Sequence, residues 1–136
     1  MIKDIGKAGE HAACRFLKKN GYKILERNYQ RSAGKMIGEI DIIARKGEQV
    51  SFVEVKTRNI KSLGTKQDRP ASAVTPEKQR KIIKAAARYV GYGHKNLRKR
   101  FDIIEVYVDS SGEKNKVTEI RHLENSFNID TAYFRK

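Results

Sequence analysis

Two carboxylates and a lysine stand out for their type and spacing: Asp41 in the run GEIDIIA, and Glu54 with Lys56 in the run VSFVEVK. Both runs are rich in β-formers and read as strands. Alternation puts Glu39, Asp41 and Ile43 on one face of the first, and Val50, Phe52, Glu54 and Lys56 on one face of the second. Between them Lys46-Gly47-Glu48 reads as a hairpin turn. A two-residue turn at Lys46-Gly47 or at Gly47-Glu48 brings both polar faces to the same side of the sheet. With the second of these, Asp41 lies opposite Glu54, with Cβ atoms about 4.5–5.5 Å apart. Carboxylates that close repel unless a proton or a cation sits between them. Their short, oxygen-only reach suits a hard divalent ion, Mg²⁺ or Mn²⁺, completed by water and substrate phosphate. Lys56 projects from the same face, where an ammonium can orient or help deprotonate an attacking water and meet a phosphate oxygen. Taken alone, an aspartate followed after twelve residues by E-x-K is a weak pattern, since strands often show charges to solvent. Its Ile, Phe and Val neighbours indicate burial and give it weight.

Glu10 belongs to the same question. It falls on the flank of a helical stripe, alongside Gly6, Ala13 and Leu17, at the edge of the buried face. Packed against the sheet it reaches the Asp41 and Glu54 cation as an outer ligand. The plainer reading is a surface pairing near Lys7.

Positioning these side chains takes a helix, a hairpin and more strands. Over 5–19 the residues Ile5, Ala8, Ala12 and Phe16 recur at helical spacing, widened by Ala13 and Leu17, and Asn20-Gly21 is a stop signal. Residues 22–29 read as a strand, 30–35 as a loop, and 38–45 and 49–57 as the hairpin. Residues 58–74 have no period and are expected to form a mobile basic loop. Thr75-Pro76-Glu77 supplies a cap, a first-turn proline and a first-turn acid for a second helix running to about Tyr92. On that helix Ile82, Ile83, Ala86, Tyr89 and Val90 share one face, and Arg80, Lys81, Lys84 and Arg88 the opposite one. Strands over 100–109 and 116–123 follow, and 124–136 reads as a weakly ordered tail. Helix, three strands, helix, two strands implies one α/β domain over 1–136, a mixed sheet flanked by helices.

The 136 residues carry 30 Lys plus Arg against 16 Asp plus Glu, a formal charge of +14. That length suits a single domain, and 38% hydrophobic residues suffice for a modest core, which excludes a disordered chain. No run approaches the roughly 20 apolar residues of a membrane helix, and the first residues lack a secretory signal, so a cytoplasmic protein with no membrane partner is expected. The single Cys14 excludes a disulfide scaffold and a cysteine zinc cluster, and His11, His94 and His122 are too scattered for a zinc site. Gly6-Lys7-Ala8-Gly9 lacks the spacing of a phosphate-cradling loop, so these glycines read as packing or helix-entry residues.

The charge is regional. Residues 56–100 hold fourteen Lys or Arg against two acids, Asp68 and Glu77, which makes a polyanion the natural partner. Nucleic acid is the leading candidate, with a solvated basic surface, or a contact site for ribosomal RNA or anionic lipid, as the blander alternatives. Arg58, Lys61, Lys66 and Arg69 in the loop, and Lys78, Arg80, Lys81, Lys84 and Arg88 in the helix, are expected to contact phosphate. Tyr89, Tyr92 and His94 could stack on bases, although packing is the stronger reading for each.

The blocks GKAGEHAA, ILERNYQ, GEIDIIA, FVEVKTR, AVTPEKQRKI and RFDIIEV, in that order, resemble the YraN-like family of the PD-(D/E)XK nuclease superfamily, related to the archaeal Holliday-junction resolvases. The resemblance covers about 5–125; the loop SLGTKQDRPASAV is longer and more basic than the family's usual pattern. It implies a restriction-endonuclease-like αβββαβ core, with Glu10, Asp41, Glu54 and Lys56 at the active-site positions. Asp41 and Glu54 would then be ligands of Mg²⁺ or Mn²⁺, joined by the Val55 carbonyl and by Glu10, and Lys56 the catalytic lysine. The resulting expectation is a metal-dependent endonuclease acting on DNA, branched DNA included, and a homodimer by analogy with the resolvases. A catalytically silent nucleic-acid-binding module and an RNA-processing nuclease are the competing expectations.

Overall fold

Asp4, in an extended conformation, accepts the Lys7 N–H at 2.9 Å and so satisfies one of the amides a helix start leaves unpaired. Helix α1 runs from there over Ile5–Lys19 and stops at Asn20, followed by Gly21 at a φ of 89°. The structure, a computed structural model, describes residues 4–32, 36–60, 74–90, 93 and 96–134. Five strands follow α1: β1 Lys23–Ser32, β2 Met36–Lys46, β3 Gln49–Asn59, β4 Arg98–Asp109 and β5 Lys116–Phe127. Helix α2, Pro76–Val90, lies between β3 and β4, and a π-helical turn at Asp130–Phe134 follows β5.

The sheet order is β1-β2-β3-β4-β5. Neighbours are antiparallel except β3 and β4, which are parallel and joined through α2. A parallel pair needs such a crossover, so the second helix dictates the one parallel junction. The result is a mixed sheet flanked by helices with a restriction-endonuclease-like αβββαβ core, as the sequence implies.

Each helix buries its apolar face on a different side of the sheet. Ala13, Cys14 and Leu17 of α1 pack on Ile42, Ala44, Val53 and Ile104. Ile82, Ala85, Ala86 and Val90 of α2 pack on Ile43, Val50, Phe52 and Ile103. Strands β3 and β4 are therefore covered on both faces, which is why their sequences run apolar instead of alternating cleanly. Cys14 is a packing residue, and burial pushes its thiol pKa up. Helix α1 approaches β3 so closely that a Cβ on Gly9 would lie 2.9 Å from both Cβ and Cγ2 of Thr57 and nearer still to Oγ1. That glycine is required for packing.

One buried polar network ties the far end of the sheet together. Asp102, fully buried, accepts two hydrogen bonds of 2.8 Å from Arg100, one of 2.9 Å from the Asn125 N–H, and shares 2.8 Å with His122 Nε2. Burial alone would raise the Asp102 pKa, but these donors outweigh it and hold the carboxyl below its ordinary range. Arg100 also donates to the Tyr22 hydroxyl at 2.7 Å, joining β4 to the start of β1.

Several strand boundaries differ from the sequence reading, with β2 running over Met36–Lys46 instead of 38–45 and β4 starting at Arg98 instead of 100. Strand β1 extends through Ser32, into the expected loop, and β3 through Asn59. Strand β5 continues past Leu123 to Phe127, whose buried ring stacks on Phe101 at 5.3 Å, and Ala132 is buried as well. The region read as a weakly ordered tail from Glu124 is thus regular structure as far as it is described. Most of the basic loop, with Lys61, Lys66 and Arg69, lies outside the described residues, as do Tyr92 and His94. Among the described residues, no helix is long and apolar enough to cross a membrane.

Candidate active site

The β2–β3 ladder pairs Lys46 with Gln49 and proceeds step by step to Ile42 with Val53, so the turn is Gly47-Glu48, with Gly47 at a φ of 62°. The paired register ends at Ile42 and Val53, and continuing it by one step would set Asp41 against Glu54. Beyond it the Asp41 side chain takes a backbone donor: its Oδ2 accepts the Val55 N–H at 2.8 Å. Strict alternation lapses at this point. Ile40 packs on the α2 side together with Ile43, whereas the sequence reading groups it with Ile42 and Ala44. Opposite Asp41 on β1, between the Arg27–Ile42 and Tyr29–Ile40 pairs, Asn28 adopts a φ of 53°. The carboxylate therefore sits at a local break in both flanking strands.

Glu54 is only 5% exposed and is met by two ammonium groups. Lys56 Nζ lies 3.8 Å from Glu54 Oε2, and Lys78 Nζ is directly ion-paired with the same oxygen. Lys78 reaches it from the first turn of α2, whose start is fixed by Thr75: its hydroxyl accepts the Lys78 N–H at 3.2 Å. Among the described residues, Asp41 has no such ion pair. Burial first, then the Glu54 charge, push its pKa up to about 7, and the Val55 N–H only partly offsets them. Burial pulls the Lys78 pKa down, but its bond to Glu54 and the surrounding acids more than reverse this. Asp41 and Glu54 line a cleft of about 550 Å³ together with Glu39, Thr75, Glu77, Lys78, Lys81 and Ile82.

Glu10 stands at the margin. Its charge is among those that raise the Asp41 pKa, but it does not line the cleft. The Asn28 amide nitrogen, in the orientation its neighbours require, donates to Glu10 Oε1 at 3.1 Å and to Glu39 Oε1 at 3.3 Å, bridging α1 to β2. Beyond Lys56, its register partner Glu105 on β4 is fully buried and accepts the Tyr107 hydroxyl at 2.7 Å.

The donor set can be tested against a divalent cation. Among the described residues, no three His, Cys, Asp or Glu side chains gather closely enough to hold a metal by themselves. Two carboxylates completed by water and phosphate are nonetheless the usual protein share of a Mg²⁺ site. The raised Asp41 pKa marks a buried carboxyl set beside a second one, and the Lys78 ammonium stands where a cation would meet Glu54. The residues fit, provided Lys78 gives way. Val55 enters the site through its N–H.

The expected phosphate contacts divide. Lys81, Lys84 and Arg88 are exposed along α2. Arg80 is not part of that row: half-buried, it donates to the Ala132 carbonyl at 2.6 Å and lies 5.7 Å over the Tyr133 ring. Lys78 turns to Glu54, and Arg58 on β3 is half-buried with its Nε unpartnered among the described residues. Tyr89 packs edge-on against Tyr29 and Phe52, so it is a packing residue. Sequence reasoning missed Asn28 and the part Lys78 plays. The signal for Asn28 was its residue type, one of the few that tolerate positive φ, inside an otherwise β-forming run.

A buried acid pair and two lysines on the αβββαβ core define the class, a restriction-endonuclease-like α/β domain with an acidic cleft. The chain belongs to Uncharacterised protein family UPF0102, the YraN family, whose family model matches residues 9–106. It is 43% identical over 126 residues to a UPF0102 protein of Caldanaerobacter subterraneus, covering 92% of this chain and 95% of the relative. A UPF0102 protein of Desulfosudis oleivorans is 43% identical over 128 residues, covering 93% and 92%. One from Caldicellulosiruptor saccharolyticus is 40% identical over 126 residues, covering 92% and 98%.

Proposed function

We propose that this protein is a metal-dependent endonuclease that hydrolyses phosphodiester bonds in DNA, with branched or otherwise distorted DNA as its preferred substrate class. One observation carries the reading: Asp41 and Glu54 line one cleft bordered by Lys78 and Lys81 of α2, and Lys56 stands beside them with its Nζ 3.8 Å from Glu54 Oε2. Mg²⁺ or Mn²⁺ bound by Asp41 and Glu54 supplies a Lewis acid and lowers the pKa of attacking water. The remaining work falls to the chain's own groups. Lys56, held near Glu54, orients the water and meets a phosphate oxygen. Lys81, at the rim of the cleft, and Lys84 and Arg88 beyond it hold the backbone without reading sequence. Glu10 and Asn28 set the charge and position of the acids around Asp41.

Incubation with labelled linear, single-stranded, flap and four-way-junction DNA, and with RNA, plus either metal, tests this. Cleavage of DNA that is lost in Asp41→Asn, Glu54→Gln and Lys56→Met, with binding retained, is the expected result. The competing reading, a nucleic-acid-binding module without chemistry, is favoured by the Lys78–Glu54 pair, which fills the place of a cation. It predicts binding without cleavage and no Mn²⁺ uptake that Asp41→Asn removes. Cleavage confined to RNA would replace the substrate class and leave the site residues as they stand.

A further inference from the structure

Among the described residues the exposed aromatic rings are Tyr133, at 44%, and Phe134, at 74%, side by side with ring centroids 6.4 Å apart. The other ring pairs among the described residues join rings that are buried or half-buried, such as Phe52, Phe101 and Phe127. Ile129, 57% exposed, lies just before this pair. Apolar groups concentrated at one turn of a chain of 38% hydrophobic content call for an occupant.

The turn that carries them is firmly attached. Arg80 donates to the Ala132 carbonyl at 2.6 Å, Thr131 donates to Gln79 Oε1 at 2.8 Å, and the Ala132 side chain is buried. Thr131 and Asn128 also exchange hydrogen bonds of 3.0 and 3.1 Å. Gln79 and Arg80 belong to the first turns of α2, the same turns that send Lys78 into the carboxylate cleft. Two residues separate Lys78 from Arg80, about 200° around a helix of 3.6 residues per turn, so they leave α2 on opposite flanks. The exposed Lys81 and Lys84 lie on the arc between. A path that starts at Asp41 and Glu54 and crosses this ridge arrives at Tyr133 and Phe134. Its width is one helix diameter, about 10 Å, or some three nucleotide steps of about 3.4 Å.

We propose that Tyr133 and Phe134 form a stacking platform for unpaired nucleotides, placed across the basic ridge of α2 from the cleft. The proposal rests on the nucleic-acid reading above and adds to it a single-stranded segment in the substrate. Aromatic side chains accept any base through its π-face, and a cationic groove beside them tracks the backbone. The Arg80 guanidinium, 5.7 Å over the Tyr133 ring, fixes one ring and leaves its neighbour for a base. The pair lies outside residues 9–106, where the family model matches.

Binding by the full chain to an oligothymidylate of about fifteen nucleotides, to a blunt duplex and to a flap of both, measured without divalent metal, tests the platform. The variants are Tyr133→Ala/Phe134→Ala and, as the conservative control, Tyr133→Phe. The double alanine variant is expected to weaken oligothymidylate and flap binding about tenfold or more and to leave duplex binding within twofold. Tyr133→Phe is expected to match the wild type. A 2-aminopurine in the single strand should be quenched by the wild type and not by the double variant. Equal losses on duplex and single strand, or no loss on either, would overturn the platform while leaving the nuclease reading standing. Failure of the wild type to bind any of the three probes would sink both. Conversion of a dimer into a monomer by the double variant, with oligothymidylate binding unchanged, would assign the rings to a contact between copies and overturn the platform.

Discussion

The Lys78 ammonium is ion-paired with the Glu54 carboxylate, joining the first turn of α2 to the middle of β3 across 24 residues of chain. Glu54 is almost fully buried, so the pair matters more than a surface ion pair, yet its lysine is 46% exposed and free to be exchanged. On the metal-dependent reading proposed above, a divalent cation would compete with Lys78 for the same oxygen. Lys78→Met should therefore tighten Mn²⁺ binding about tenfold, or about 1.4 kcal/mol, in a calorimetric titration, while leaving the fold intact. Weaker or unchanged Mn²⁺ affinity would remove Lys78 from the role of competitor.

Asp41 gives the pH dependence. With its pKa pushed up to about 7, the folded protein keeps a proton that the unfolded chain loses near about 3.9. The unfolded state thus binds fewer protons between those values, and stability falls as pH rises from about 4 to about 7, then levels off. In chelator-containing buffer the urea midpoint should decline over that window, by roughly 2–4 kcal/mol in unfolding free energy for this one group. Asp41→Asn should flatten the decline, and added Mg²⁺ should oppose it, since a cation binds the ionised pair. A midpoint that rises over the same window in the wild type would contradict the raised pKa.

Gly9 sets how near α1 lies to β3. A methyl group there meets the Thr57 side chain at 2.9 Å or less, and overpacking of this kind costs about 1–3 kcal/mol. Gly9→Ala should lower the melting temperature, and Thr57→Ala in the same chain should recover part of the loss because it removes Oγ1 and Cγ2. Glu10 follows Gly9 directly, so the displaced helix should also carry Glu10 away from Asn28. An unaltered melting temperature would show that the helix shifts freely on the sheet.

The hairpin was legible because a period of two and a glycine turn leave few registers, and one of the two weighed puts Asp41 opposite Glu54. Helix α1 was legible to its ends because its apolar spacing and its Asn20-Gly21 stop agree. Lys78 was not. On a helical wheel it is one more cation, and its turn toward Glu54 depends on how α2 docks, which no local pattern encodes. Arg80 was misread for the same reason, since its partner is the Ala132 carbonyl, 52 residues on. The end of β5 was missed because Phe127 is an isolated aromatic among polar residues, and its burial depends on Phe101, distant in sequence.

The exposed ridge of α2 yields the last prediction. Lys81, Lys84 and Arg88 share one arc of the helix and face solvent, whereas Arg80 is engaged by Ala132 and Tyr133. Each phosphate neutralised contributes about −0.9 to the slope of log K against log salt on duplex DNA. Replacing Lys81, Lys84 and Arg88 by Gln should weaken duplex binding irrespective of sequence and flatten that slope by roughly two to three units. Arg80→Gln alone should leave the slope nearly unchanged and instead loosen the Asp130–Phe134 turn. Glutamine is a good helix former and none of the three side chains is buried, so circular dichroism should be the same as for the wild type. A folded triple variant with wild-type affinity and slope would mean that this ridge faces bulk water. The exposed pair Arg98 and Lys99 at the start of β4 would then be the next cations to replace.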